Sequence, residues 1–177
     1  MRIIGGKLKG KRIEAKKNMD LRPTTDFAKE GLFNVLENMI DNWAAIRVLD
    51  LFAGLGGISY EFVSRGVENI HINDWEHKHL QCIMENCKTL GISAKFSRLD
   101  AKACLQKASG FQLIFADPPY DYKHHDSLHQ LIFEKPCLDK GGWFILEHDA
   151  KNKQEDKKYF KFAKKYGNVV FSFFEYV

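Results

Sequence analysis

No Cys-x-x-Cys pair occurs among the four cysteines, Cys82, Cys87, Cys104 and Cys137. A chain of 177 residues can bury a full core without covalent staples, so no disulfide framework is expected and a reducing compartment suits the composition. No uncharged run approaches the roughly 20 residues of a membrane span. The opening Met1-Arg2-Ile3-Ile4-Gly5-Gly6 has no apolar stretch behind its charge, as a secretory signal would. A cytoplasmic protein without a membrane segment is expected. Internal repeats, linkers and low-complexity tracts are also missing, and the length leaves room for one ordinary domain. With 45% hydrophobic and 28% charged residues, that domain is a folded one.

The net charge of +4 conceals an uneven distribution. Residues 1–25 carry +6, residues 26–149 carry −6 and residues 150–177 carry +4. An acidic centre between two basic ends suits a body that handles a cationic or hydroxyl-rich small molecule, with outer surfaces drawn to phosphates. The competing reading of the basic ends is solubilising charge.

Residues 2–13 alternate basic and apolar side chains around glycines, as a solvent-facing hairpin or arm would. Cap-type residues at Thr24-Thr25-Asp26, followed by Ala28, Leu32, Val35, Leu36 and Met39 at helical spacing, predict a helix over 25–39. Strands are then predicted at 46–52, 69–73, 94–97, 111–116 and 142–147. Helices between them are predicted at 58–64, 78–90, from Ala101 and near 127–133. This alternation makes a parallel sheet with helices on both faces. Gly167-Asn168 between two aromatic and β-branched runs predicts a closing antiparallel hairpin.

The first strand ends in Asp50-Leu51-Phe52-Ala53-Gly54-Leu55-Gly56, a glycine turn that lets a ligand approach the backbone at a helix start. A dinucleotide site would have a third glycine where Ser59 stands, so a dinucleotide and another adenosine cofactor both remain open. Asp74, at the end of the second strand, suits ribose hydroxyls in either case. At the end of the fourth strand stands Asp117-Pro118-Pro119-Tyr120. Its prolines stiffen the segment and remove two backbone donors, leaving carbonyls and a carboxylate as acceptors beside an aromatic ring. Such a site grips an amino group on a planar ring, with Tyr120 stacking on the base.

The Asp-Pro-Pro-Tyr segment with Asp50–Gly56 resembles the signature pair of S-adenosylmethionine-dependent amino methyltransferases. Arg2–Gly10, Arg22-Pro23-Thr24-Thr25-Asp26 and Lys29–Leu36 narrow the resemblance to the RsmD family, bacterial enzymes that methylate the guanine N2 amine of small-subunit (16S) ribosomal RNA. The resemblance covers nearly the whole chain. It implies a Rossmann-like class I methyltransferase fold with a mostly parallel seven-stranded sheet, organised as a basic arm over 1–24 and a methyltransferase domain over 25–177.

The cofactor implied is S-adenosylmethionine, and the cofactor-binding set comprises Asp50, Phe52, Ala53, Gly54, Gly56, Asp74, Trp75, Asp100, Ala101 and Thr24. Within it, the resemblance implies that Asp50, Phe52, Ala53 and Gly54 cradle the methionine end, Asp74 holds the ribose and Asp100 meets the adenine amine. Asp117, Pro118, Pro119 and Tyr120 form the catalytic set. Lys7, Lys9, Lys11, Arg12 and Arg22 contact RNA, presented as naked ribosomal RNA or as an assembling small subunit, and the chain is expected to be a monomer. Two positions depart from the family pattern. Leu55 replaces the usual Ser or Thr, and Asp74 replaces the usual Glu, which keeps Glu76 as a competitor for the ribose.

Three other readings are set beside this one: an adenine-N6 methyltransferase on DNA or RNA, a non-catalytic RNA-binding protein, and, more distantly, a dinucleotide oxidoreductase. Pro136-Cys137 resembles a pyrimidine methyltransferase pair, but it precedes the fifth strand, so a core or loop cysteine is expected. His124, His125 and His129 lack acidic or cysteine ligands at metal spacing, so no metal is expected.

Overall fold

The computed structural model describes residues 1–14, 24–119, 122 and 124–177. Helix α1 (Asp26–Glu37) starts where the Thr25 hydroxyl accepts from the Ala28 N–H, and buries Ala28, Leu32, Phe33 and Leu36. The chain then alternates β1 (Arg47–Asp50), α2 (Gly57–Ser64), β2 (Asn69–Asn73), α3 (His77–Leu90), β3 (Lys95–Ser97), α4 (Ala101–Lys107), β4 (Phe111–Ala116), α5 (His125–Glu134) and β5 (Leu138–Asp149). The hairpin β6 (Phe160–Tyr166) and β7 (Val169–Glu175) closes it. The spatial order of the sheet is β3-β2-β1-β4-β5-β7-β6, with parallel pairing through β5 and antiparallel pairing beyond. The expected seven strands and terminal hairpin are therefore observed. The principal difference is β5, which begins at Leu138 rather than at Gly142.

Strand alternation sorts the core into two layers. Val48, Ile70, Ile72, Leu113, Phe115 and Ile145 pack with α1, α2 and α3, whereas Leu49, Ile114, Phe144 and Leu146 pack with α4 and α5. Cys137 belongs to the second layer, with its thiol donating to the Ile132 carbonyl at 3.1 Å, so it is a core cysteine.

The N-terminal segment is less solvent-facing than its sequence suggests. An Arg2↔Arg12 bridge makes it a hairpin, and Ile3 and Ile13 are buried in the first layer. Its anchor is ionic. Lys29 Nζ donates to the Arg2 carbonyl at 2.6 Å and lies 3.2 Å from Glu61 Oε1, and both side chains are buried. Glu61 also accepts from the Ile4 N–H at 2.8 Å and from Arg65. Removing one member of a buried pair leaves its partner charged and dry, at a cost of about 3–5 kcal/mol. Because Arg65 stays on Glu61, Lys29→Met is expected to lower the free energy of urea unfolding by the lower end of that range, about 3 kcal/mol. A loss below about 1 kcal/mol, the range of an exposed pair, would contradict a structural role for Lys29.

Candidate functional site

Four of the five parallel strands, β1, β2, β4 and β5, carry an acid at or near their carboxyl ends. The alternation that faces Val48, Ile72, Phe115 and Ile145 toward the first core layer brings Asp50, Asp74, Asp117 and Glu147 to the same side of the sheet. Ala116 pairs with Leu146 in parallel register, so Asp117 and Glu147 follow side by side on strands about 4.8 Å apart.

The surroundings of Asp50, Asp117 and Glu147 raise their proton affinity. Burial, with contributions from Asp74 and Asp117, pushes Asp50 up to about 7 against the lowering effect of the Ser59 hydroxyl. Burial and then Glu147 hold Asp117 well above the usual carboxylate range. Burial raises Glu147 to about 7, while a hydrogen bond from Thr24 lowers it and Asp50 raises it further. One oxygen of Asp50, Oδ2, accepts from Ser59 Oγ at 2.6 Å. The other, Oδ1, is buried without a hydrogen-bond partner among the described residues. Desolvated carboxylates with open acceptor sites suit a cationic ligand.

The glycine turn is bound to this edge. Gly54 adopts φ 55° and Gly56 φ 77°, and a Cβ on Gly56 would lie 2.9 Å from the Tyr60 ring. Gly56 thus has a packing reason of its own. Asp74 Oδ2 accepts from the Gly54 N–H at 2.7 Å, and Oδ1 accepts from the Glu76 N–H at 2.8 Å and lies 3.1 Å from His79 Nδ1. A carboxylate offers about four lone-pair sites, so Asp74 can still accept from a hydroxyl. Glu76 is exposed at the start of α3.

Beside Asp74, the Trp75 ring is 63% exposed. Asp100 caps α4 by accepting from the Ala103 N–H at 2.9 Å and is otherwise exposed, while Ala101 behind it is buried. Phe52 meets Tyr122 edge-on at 5.2 Å. Ala53 is buried, with its N–H on the Asn73 carbonyl at 3.0 Å.

A pocket opens beyond Asp117 and Pro118, lined also by Glu147, His148, Asp149, Asn152 and Val169. Pro118 is buried and Pro119 exposed, and the Pro119 carbonyl is taken by the Tyr122 N–H at 2.9 Å. Tyr120 and Arg22 lie outside the described residues. Lys7, Lys9, Lys11 and Arg12 are exposed but do not converge on the pocket. The Lys7 N–H bonds to the Ser64 carbonyl, at the far end of α2 from the glycine turn and about 12 Å along the helix.

Three supporting residues were not identified from sequence. Ser59 stands in the sequence where a dinucleotide site would have its third glycine, yet its hydroxyl holds Asp50. Asn73 is buried; its Nδ2 donates to the Leu51 and Leu99 carbonyls and its Oδ1 accepts from Ser97 Oγ and the Leu99 N–H. It thus rivets the loops that carry Asp50 and Asp100. Glu147 accepts from Thr24 Oγ1 at 3.1 Å. The one signal for Glu147 was an acid ending an apolar strand, as at the other strand ends.

The family described as "Conserved hypothetical protein 95" matches residues 1–175. Bacillus subtilis YlbH is 39% identical over 155 residues, covering 84% of this chain and 83% of its own. The ribosomal RNA small subunit methyltransferase D of Buchnera aphidicola subsp. Acyrthosiphon pisum is 32% identical over 152 residues, covering 84% and 78%. Among solved structures, Escherichia coli yhhF superposes with a TM-score of 0.85 at 25% identity, covering 99% of this chain and 97% of its own. The Thermus thermophilus 16S rRNA N2 G1207 methyltransferase RsmC, solved with AdoMet and guanosine, gives 0.75 at 19% identity, covering 100% and 49%. That last likeness is one of fold.

The raised carboxyls give a testable sign. Asp50 and Glu147 titrate near 7 when folded and near roughly 4 when unfolded. The folded state therefore binds more protons in between. The stability they contribute is complete below the unfolded value and is lost as pH rises through 7. The melting temperature of the protein alone should fall between pH 5.5 and pH 8, each kcal/mol counting for roughly 2–4 °C at this size. A rise across that window would contradict the assignment.

Proposed function

The chain belongs to the family described as conserved hypothetical protein 95, the RsmD family, and on that footing we propose that it transfers a methyl group from S-adenosylmethionine to the guanine N2 amine of small-subunit ribosomal RNA. The observation that carries this reading is the pairing of an acidic, partly unsatisfied cofactor edge with a rigid Asp117-Pro118 acceptor site on the adjoining strand. Residues 1–24 serve as the arm and residues 25–177 as the catalytic domain. The substrate is the RNA alone or within an assembling subunit in the cytoplasm.

Asp50 and the turn Phe52-Ala53-Gly54 hold the amino-acid end of the cofactor, where the open Oδ1 of Asp50 accepts from its ammonium group. Asp74 receives the ribose on its remaining acceptor site, Trp75 covers the adenine and Asp100 accepts from the adenine amine. Bound there, S-adenosylmethionine supplies an electrophilic methyl group. Its sulfonium charge also suits carboxyls that are costly to ionise in the absence of a cation.

Asp117 and the Pro118 carbonyl accept the two N2 hydrogens and aim the nitrogen lone pair at the methyl carbon. Methyl transfer to the amine would leave it one proton in excess, which the Asp117 carboxylate that already accepts an N2 hydrogen is placed to take. Orientation carries most of the acceleration, since well-aligned reactants gain on the order of 7–11 kcal/mol. The target base must leave its stack, at a cost of a few kcal/mol, and Tyr120 offsets part of that by stacking. Exposed Lys7, Lys9, Lys11 and Arg12 hold RNA at a distance from the pocket through phosphate contacts, together with Arg22.

Asp117→Ala is expected to lower methyl transfer by at least about a thousandfold, the loss typical of a transition-state contact, with the cofactor still bound through Asp50 and Asp74. The assay is transfer from labelled S-adenosylmethionine to unmodified small subunits, naked 16S RNA and DNA, with nucleosides identified by mass spectrometry. Wild-type turnover by the variant would overturn the role of Asp117. N6-methyladenosine as the product would replace the proposed substrate with adenine.

A further inference from the structure

We propose that Glu147, positioned by Thr24, is the residue that selects guanine, by accepting the ring N1–H beside the amine held at Asp117. This rests on the guanine-N2 reading above and adds to it a residue that distinguishes guanine from adenine. Asp117-Pro118 alone cannot make that distinction, because both bases present an exocyclic amine.

The two bases differ at the neighbouring atom. Guanine N1 carries a hydrogen next to the N2 amine and so presents two donors in a row, whereas adenine N1 is an acceptor. A second carboxylate next to Asp117 would complete a bidentate contact with guanine and repel the adenine lone pair. Glu147 occupies that position. It follows Leu146 as Asp117 follows Ala116 in the parallel register, and it lines the same pocket.

The other polar side chains of the pocket make bonds of their own, with Asn152 Oδ1 accepting from Gln154 Nε2 at 2.9 Å. His148 Nδ1 is 2.7 Å from the Asp149 carbonyl and its Nε2 is 2.7 Å from Ser172 Oγ. Asp149 Oδ1 accepts from the N–H groups of Lys151 and Asn152, at 2.7 and 3.1 Å. Glu147 itself is divided between two tasks. Oε2 accepts from Thr24 Oγ1 at 3.1 Å, which leaves Oε1 without a hydrogen-bond partner among the described residues.

The Thr24 hydroxyl has two effects. It fixes the rotamer of a side chain 123 residues away in sequence, and as a donor it favours the ionised form against burial. Ionisation matters here because a protonated Glu147 would donate to adenine N1 and erase the preference. Thr24 is thus a positioning residue acting through Glu147, and its neighbour Thr25 caps α1, which ties the loop to the domain.

The test uses the full chain. The nucleotide methylated by the wild-type protein is first mapped in unmodified 16S RNA, and the same RNA is then assembled with 2-aminopurine at that nucleotide. This base keeps the N2 amine but has an acceptor at N1. The ratio of transfer rates, guanine over 2-aminopurine, is measured for wild type, Glu147→Gln and Thr24→Val, with circular dichroism and a cooperative thermal transition as the check on folding. Glu147→Gln can place a donor on N1 and should lower the ratio by roughly tenfold or more, and Thr24→Val should lower it by less. A folded Glu147→Gln variant with the wild-type ratio would overturn this inference alone. Absence of N2-methylguanosine from the wild-type reaction would overturn the functional reading and this inference with it.

Discussion

Four acids at the ends of four neighbouring parallel strands, all turned to one side of the sheet, impose the constraint on which the rest of the site depends. Like charges that close, partly or wholly out of water, cannot all ionise without a compensating cation. The folded chain meets this by holding Asp50, Asp117 and Glu147 at raised proton affinity. A sulfonium cofactor with an ammonium group is the kind of ligand that releases this tension. The acidic cluster is therefore costly for the protein alone and favourable in the complex, as sites built for charged ligands commonly are.

Around the cluster, ordinary polar residues determine geometry. Ser59 fixes one oxygen of Asp50. Asn73 uses all four of its hydrogen bonds to join the ends of β1, β2 and β3. Asp74 clasps the Gly54 N–H from the neighbouring strand. Each contact crosses between loops that lie far apart in sequence, so the site is held by the sheet rather than by any single loop. The Lys29–Glu61 pair does the same for the N-terminal hairpin, whose basic tip lies away from the pocket.

Periodicity and punctuation made much of the fold legible. The strands 69–73 and 111–116 are observed as expected, because buried parallel strands read as short apolar runs ended by turn residues. The expected strand 142–147 is longer in the structure, where β5 reaches back to Leu138 through Lys140-Gly141-Gly142 with an irregularity opposite β4. Charges dominate the N-terminal hairpin and give it a solvent-facing pattern, whereas Ile3 and Ile13 find a core that only the tertiary fold supplies. Within the site, residues in compact motifs were identifiable and their supports were not. Thr24 and Glu147, or Asn73 and Leu99, meet only when the sheet assembles, and a spacing pattern carries no record of that.

The most direct test of the central claim is calorimetric titration of the protein with S-adenosylmethionine at pH 6.5 in buffers of different ionisation enthalpy, with S-adenosylhomocysteine, which lacks the sulfonium charge, as the control. A site whose carboxyls ionise against an incoming cation must release protons on binding, and must release more with the sulfonium than with the neutral thioether. Proton uptake, or an equal count for the two ligands, would contradict a carboxylate cluster poised for a cation.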